Sequence, residues 1–417
     1  MFALIDANSF YCSCERAFDP RLRGKPVVVL SNNDGCAIAR THEAKDLGIK
    51  MGEPWHLIKG RPELRHVIAK SSNYALYADM SRRIYEILVG FGEEVEPYSI
   101  DEMFIDATSI TDRGAFGVAL RRTVLRATKI PCCVGFGPTK TIAKLANRLA
   151  KADRHGSGVC DLSRPAHRRE RYPTIDVGEV WGIGPAAERK LQKLGVKSVA
   201  DFVAMPESVV RDLLTVTGLR TVSELKGIGC LSLSTQPAPK KSLAVTRSFG
   251  QAVTLRAILE DAVCSYATRA AERLRDHRLI AGAMQIFVTT NQFAKKDLQY
   301  VNSITVSIEP SNDTFILAGA ALRALEALWR DGYRYSKAGV ILLDLEAQGE
   351  TYASLLPSRD PEKSADLMEA LDVINGRYGR LTLRPASIAA RAGWAMRRGN
   401  LSPSYTTRLS DILRARS

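Results

Sequence analysis

The stretch Tyr98–Ala107, YSIDEMFIDA, decides how the rest of the chain is read. Its Tyr, Ile, Met, Phe and Ile are spaced as on a strand, yet Asp101 and Glu102 stand side by side within it. On a regular strand neighbouring side chains point to opposite faces, so the pair serves one site only if the chain turns there. Ser99, just upstream, suits such a turn. Carboxylates held close together repel, and relief comes from a shared proton or a bound cation. A third acid closes the opening apolar run: in MFALIDANSFY, Phe2 to Ile5 lead into Asp6. Two buried strands, each ending in acid, are expected as neighbours in one sheet, with Asp6, Asp101 and Glu102 converging. Hard oxygen ligands of this kind favour Mg2+, which keeps waters and recruits substrate phosphates. Taken singly, each acid reads as a solvated strand end or a helix cap, and Asp106 is read that way.

At 417 residues the chain exceeds one ordinary core, so two to four domains are expected. With 45% hydrophobic and 25% charged residues it has the composition of a soluble globular protein. The sign of the charge is less ordinary: a formal net charge of +14 points to a polyanionic partner, nucleic acid or an anionic membrane surface. No apolar stretch is long enough to cross a bilayer, and Asp6 interrupts the short run at the N-terminus, which has no basic region before it. A cytoplasmic, nucleoid-associated protein is expected. Its eight cysteines form no C-x-x-C pair with histidines at zinc spacing and read as reduced, mostly core residues.

Outward from the acidic stretch, strands and helices alternate. Strands are read at 1–10, 25–30 and PCCVGFG, and helices at RTHEAKDLG, SSNYALYADMSRRIYEILVGFG, AFGVALRRTVLRATKI and TKTIAKLANRLAKAD. This order predicts an α/β layer carrying the acids. A compact helical piece follows over 166–235. From SLAVTRSFG to AGVILLDL the pattern is β-α-β-β-α-β, a four-stranded sheet backed by two helices. A helix is read near SADLMEALDVIN, and from Arg377 onward nine arginines stand against one acid, Asp411, as in an interaction tail.

Several side chains follow from a metal-bound triphosphate at Asp6. A ring five residues on lies where a sugar would sit, so Tyr11 is read either as excluding a 2'-hydroxyl or as packing in the core; Phe10 is read as core. His42 and Lys45 share a face of their short helix, with Arg40 just before it. Lys140, Lys144 and Lys151 share another face; Lys140 is read as solvated and Lys151 as reaching the nucleotide. GFGPTK lacks the ending of a phosphate loop. In VWGIGPAAERK, Gly182, Ile183 and Gly184 form a tight turn ahead of a helix, and its glycines let backbone N–H groups approach a phosphate. With Arg189 and Lys190 beside it, this resembles a helix-hairpin-helix grip on the nucleic-acid backbone, against the plainer reading of a helix-helix turn. A second GIG, Gly227–Gly229, reads as a linker.

The motifs LIDANSFY, GKPVVVLSNNDGCAIARTHEAKDLGIKMG, SSNYALYADMS, YSIDE, GPTKTIAKLANRLAK, VWGIG and LSPSYTTR occur in this order, and over nearly the whole chain it resembles a Y-family DNA polymerase. The resemblance implies a right-hand polymerase with a palm (1–10 and 72–165), small fingers (11–71), a helical thumb (166–235) and a little finger (236–347), then a C-terminal interaction tail (348–417). It implies that Asp6, Asp101 and Glu102, with the Ala7 carbonyl, bind two Mg2+ ions. Tyr11 matches the steric gate, and His42, Lys45 and Lys151 match the triphosphate contacts alongside Arg40, although many relatives have Tyr in place of His42. Cys36 and Ile38 match the roof over the nascent base pair. Gly182, Ile183, Gly184, Arg189 and Lys190 match the DNA grip.

The implied activity is error-prone synthesis across damaged template bases in the DNA-damage (SOS) response, from primer-template DNA and deoxynucleoside triphosphates. A UmuD-type accessory dimer and a RecA filament are the implied partners. YASLLPS, at 352–358, lacks the Gln and terminal aromatic of a Q-L-x-L-F sliding-clamp peptide, which puts clamp binding in doubt. From the residues themselves, roughly sixty positions between Tyr11 and the next long helix are too few for large closing fingers, and no second acidic cluster suits a proofreading exonuclease. Two other readings compete. A nucleotide cyclase needs neither the hairpin nor the positive charge, and a catalytically silent DNA-binding damage-signalling module has no use for three mutually repelling acids.

Overall fold

A computed structural model describes the chain except residues 154, 236–238, 350–358, 390–392 and 413–417, so the YASLLPS segment lies outside the described residues. The apolar run after Met1 forms β1 (Phe2–Ala7), which turns into α1 (Phe10–Phe18) through Ser9, whose backbone is left-handed at φ 47°. The expected first strand thus stops at Ala7, and Phe10 and Tyr11 are helical. Next come β2 (Val27–Leu30), β3 (Ala37–Arg40), α2 (His42–Asp46), α3 (Trp55–Gly60) and β4 (Ile68–Ser71). β2 is central to a three-stranded sheet, antiparallel to β3 and parallel to β4.

The chain then runs through α4 (Tyr74–Val89), β5 (Val95–Pro97), β6 (Glu102–Asp106), α5 (Arg113–Thr128), β7 (Cys132–Gly137), α6 (Lys140–Ala152) and β8 (Val159–Asp161). With β1 these strands form a five-stranded sheet in the order β5-β6-β1-β7-β8. Only β7 and β8 are parallel, so the sheet is mixed. The alternation of β1 sorts its residues by face. Ala3, Ile5 and Ala7 pack with Leu76, Met80 and Ile84 of α4 and Leu120 and Val124 of α5, whereas Leu4 packs with Phe104 and with Ala143 of α6.

Two glycines bring α6 onto the sheet. A Cβ at Gly135 would lie 2.1 Å from the backbone nitrogen of Asn147, and one at Gly137 would lie 2.6 Å from that of Ala143. No side chain fits between β7 and this helix. The buried Asn147 amide donates to the Leu4 carbonyl at 3.1 Å and the Cys133 carbonyl at 2.8 Å, bracing α6 across β1 and β7. The helices α7 (Pro165–Arg171), α8 (Pro185–Lys193), α9 (Val199–Ala204) and α10 (Glu207–Lys226) follow, and an apolar cluster around Leu191, Phe202 and Val222 takes in Ile142, Leu145 and Ala146 of α6. Gly227, read as a linker, is the left-handed C-cap of α10 at φ 94°.

The described residues within 238–399 form a second unit, whereas those within 400–417 belong with those of 1–237. The second unit contains β9 (Leu243–Val253), α11 (Arg256–Asp276), β10 (Leu279–Thr290), β11 (Val301–Ser311), α12 (Thr314–Leu328), β12 (Tyr335–Ala347) and α13 (Pro361–Tyr378). The β-α-β-β-α-β pattern read from the sequence is present, and its sheet has the order β11-β10-β12-β9. α13 is fastened to it by the Arg275 guanidinium, which donates twice to the Asp372 carboxylate at 2.6 and 2.7 Å. Of the described residues read as a tail, α13 thus belongs to the second unit and 400–412 to the first.

Candidate active site

β1 and β6 place the acids. They are antiparallel neighbours, and Asp6 stands directly opposite Glu102 in the register. Ahead of β6 the chain turns at Ser99, whose hydroxyl accepts from the N–H groups of Asp101 and Glu102 at 3.2 and 3.0 Å and donates to the Asp101 carboxylate at 2.7 Å. The Ala7 N–H donates to the Asp101 carbonyl at 2.9 Å, which joins the turn to the end of β1. The turn inferred at Ser99 is present; the acid pair, however, opens its strand and does not end it. Antiparallel pairing brings that opening to the same sheet end as Asp6.

Asp6 and Glu102 lie on the face covered by α6, the face of Leu4 and Phe104, because alternate strand residues share a side. Three lysines of α6 meet acids of this sheet. Lys151 pairs with Asp6, Lys144 with Glu102 at 2.8 Å, and Lys140 with Glu96 at 2.5 Å. Lys144 also lies 4.4 Å from the ring centre of Tyr98 and 5.0 Å from that of Trp181, which ties the VWGIG segment to this corner. The reading of Lys140 as solvated is overturned: it is 5% exposed and covers the Phe104 ring at 5.0 Å. A lysine stripe looks the same in sequence whether water or buried acid faces it.

Burial pushes the Asp6 carboxyl up to about 6, against the opposing pull of Lys151, and the nearby Glu102 and Asp101 raise it further. The acids thus sit near enough to repel one another. Among the described residues, no group of three or more His, Cys, Asp or Glu side chains forms a ready-made metal cage. The carboxylates turn instead to Lys151, Lys144 and Ser99. The donor chemistry nonetheless suits a hard divalent cation, since carboxylate oxygens gathered at one sheet end are relieved by added positive charge.

A cavity of about 330 Å³ opens over Asp6 and Asp101 and is walled by Ala7, Tyr11, Ile38, Arg40, Lys45 and Lys151. Ser9 also lines it, and the buried Ser9 hydroxyl has no hydrogen-bond partner among the described residues. α1 starts there with no side-chain cap, so its first N–H groups are available to an anion. Tyr11 is held by two neighbours: its ring stacks on Tyr77 at 4.4 Å with 16° between planes and meets the edge of Tyr74 at 6.1 Å. Cys36 and His42 do not line the cavity. Cys36 precedes β3, and His42 is the first residue of α2.

The second group of sequence-read residues stands apart from this cavity. Gly182 is left-handed at φ 92°, Ile183 is buried at 8% exposure, and Gly184 precedes α8, on which Arg189 and Lys190 are exposed. Sequence reading missed Lys144 and the pair Glu15 and Tyr77. The lysine spacing flagged the first; nothing local flags the other two.

The chain is similar to known proteins along its whole length. The impB/mucB/samB family matches residues 5–148, its C-terminal domain matches 240–355, and a domain of unknown function, DUF4113, matches 365–415. Protein UmuC of Salmonella typhimurium is 44% identical, with 100% of both chains covered. Protein MucB of Escherichia coli is 40% identical over 98% of this chain and 97% of its own. DNA polymerase IV of Bacillus anthracis is 26% identical over 92% of both. Among solved structures, a Y-family DNA polymerase chimera of Dbh and Dpo4 shares the fold with a TM-score of 0.67 at 20% identity, covering 83% of this chain and 100% of that one. The described residues include no helix long and apolar enough to cross a membrane. A family whose members use divalent metal, a sheet end that gathers acids under a basic cavity, and full-length identity of this order lead to one conclusion: the chain belongs to the impB/mucB/samB family of Y-family translesion DNA polymerases and is a DNA-directed DNA polymerase.

Proposed function

We propose that this chain extends primers across damaged template bases by nucleotidyl transfer at the corner of Asp6, Asp101 and Glu102, without proofreading, in the DNA-damage (SOS) response. The observation that carries this is the register: Asp6 faces Glu102, and Asp101 is tied to Ala7, beneath a cavity with a basic wall. Asp6, Asp101 and Glu102, with the Ala7 carbonyl, would hold two Mg2+ ions. Bound there, such ions lower the pKa of the primer 3'-hydroxyl and neutralise the triphosphate and the leaving pyrophosphate.

The protein's own groups do the positioning. Arg40 and Lys45 offer their charges to the triphosphate from the cavity wall, with the first turn of α1 and the Ser9 hydroxyl as uncharged donors. Lys151, 37% exposed at its side chain, is placed to exchange Asp6 for a phosphate oxygen. His42 is given the same task from the start of α2, and Cys36 and Ile38 roof the base pair. Tyr11 stands where a ribose 2'-hydroxyl would collide with it. The turn Gly182–Gly184, with Arg189 and Lys190, grips the DNA backbone through phosphate.

In this reading the five-stranded sheet is the palm (1–10 and 72–165), the three-stranded sheet the fingers (11–71), helices α7 to α10 the thumb (166–235) and the four-stranded sheet the little finger (236–347). The name of the 44% identical relative supports a UmuD-type accessory dimer as partner, and a RecA filament is the further partner this reading implies.

Asp101→Ala tests the assignment. Primer extension with Mg2+ and the four deoxynucleotides should fall on the order of a hundred- to a thousandfold, the scale of losing one preorganised group that stabilises charge in the transition state. DNA affinity should stay within about threefold, because phosphate contacts supply it. DNA binding by the unsubstituted chain with no extension at all would instead favour a silent damage-signalling module.

A further inference from the structure

The residues that follow Gly399 run along the first unit and reach the support of Tyr11. The Ser402 hydroxyl donates to the Glu15 carboxylate at 3.0 Å, and the same carboxylate oxygen accepts from the Tyr77 hydroxyl at 2.8 Å. Tyr77 is the ring on which Tyr11 lies flat. Asn73 joins the network from the other side: its amide donates to the Ser402 hydroxyl at 3.0 Å and the Pro403 carbonyl at 3.2 Å, while its own carbonyl caps α4 at the Leu76 N–H. α4 carries both tyrosines that hold Tyr11. Ser71 and Asn400 exchange two hydrogen bonds, each at 3.0 Å, and Tyr405 stacks on Phe18 at 5.0 Å, at the far end of the helix that begins with Phe10 and Tyr11.

Burial makes this network consequential. Glu15 is 1% exposed, Tyr77 0% and Ser402 4%. A carboxylate at that depth must have donors, and the phenol hydroxyl that supplies one fixes the far end of its ring. Without the strap hydroxyl, Glu15 keeps Tyr77 alone and is free to turn, so the ring that sets the plane of Tyr11 loses one end of its anchor.

We propose that Asn400–Tyr405 is a positioning strap for the sugar gate, in which Ser402 and Asn73 fix Glu15 and the start of α4 and thereby hold Tyr77 flat against Tyr11. This rests on the reading of Tyr11 as the gate. It gives a role to the closing part of the region matched by DUF4113. Ser402, Asn73, Glu15 and Tyr77 are positioning residues, none of which touches the nucleotide.

The test uses the full-length chain and single-nucleotide incorporation of a deoxynucleotide and its matching ribonucleotide. Tyr11→Ala is the reference, Ser402→Ala and Tyr77→Phe the probes, and Ser402→Thr the conservative variant that keeps the hydroxyl. Each probe should lower the deoxy-to-ribo ratio of kcat/KM by roughly three- to tenfold, the scale of one buried hydrogen bond. The change should come through a lower KM for the ribonucleotide, with deoxynucleotide incorporation within about twofold of the parent, and Ser402→Thr should restore the ratio. A merely structural role would depress both substrates together, and that result overturns the proposal. So does an unmoved ratio in both probes when Tyr11→Ala does move it, which leaves the gate standing. If Tyr11→Ala itself leaves the ratio unchanged, the gate reading falls and the strap proposal with it.

Discussion

Asp6 is an acid whose proton is governed mainly by its burial. Its carboxyl rises from 3.8 to about 6 chiefly through burial. In the metal-free protein the folded state therefore holds a proton that the unfolded state has lost between about pH 4 and pH 6. The stabilising proton is fully present below the unfolded value and is gone once pH passes the folded value. Above pH 6 the ionised Asp6 costs up to about 3 kcal/mol relative to a neutral group. Asp6→Asn should accordingly resist urea better than the parent at pH 7.5 in chelator, and the two should converge near pH 4. Mg2+ should narrow the gap at pH 7.5 by stabilising the parent alone; an equal gain in both variants would show that the ion binds elsewhere. The three acids were legible because charge inside an apolar strand is costly enough to demand a reason. The roles of Lys140 and Lys144 were not, because periodicity fixes a helix face without saying what lies opposite it.

At the scale of elements, the seat of α6 on β7 governs the site, since this helix brings Lys144 and Lys151 to Glu102 and Asp6. A methyl at Gly135 would enter the backbone of Asn147, so Gly135→Ala should cost about 1–3 kcal/mol or more by forcing the helix away. Gly376, inside α13 with nothing within 4 Å of its would-be Cβ, should accept Ala neutrally or gain up to about 1 kcal/mol. Urea melts of the two variants check both outcomes, and equal effects would contradict the close seat. The elements themselves were readable where pattern is local: α4, α6 and the β-α-β-β-α-β unit all lie within a few residues of their expected bounds. The site's pairing was only half readable. Two acidic strands could be matched as neighbours, but their antiparallel sense, which puts the opening of one beside the end of the other, is a property of the sheet.

Across the whole molecule, the +14 net charge sets the terms of DNA binding. Each phosphate neutralised releases counterions, so log affinity should fall with log salt at a slope of about −0.9 per contact. Primer-template binding measured from 50 to 200 mM salt should weaken by at least about tenfold, and a flat response would contradict a grip made through phosphate. Length and charge bounded the domain count and the kind of partner, and local patterns supplied the order of sheets and helices. The return of 400–412 to the first unit was beyond sequence reasoning, because Asn73 and Ser402 lie 329 positions apart and neither announces the other.

That separation also has a meaning in time. On the ribosome, α4 emerges well before the strap; at about 5–20 residues per second the interval is roughly 15–65 s. Throughout it, Glu15 has no serine to meet, and an entire second unit is synthesised before the first is finished. Nascent chains halted past β8 but short of Ser402 would carry a formed sheet beneath an unsettled tyrosine, so maturation of the nucleotide pocket is scheduled last.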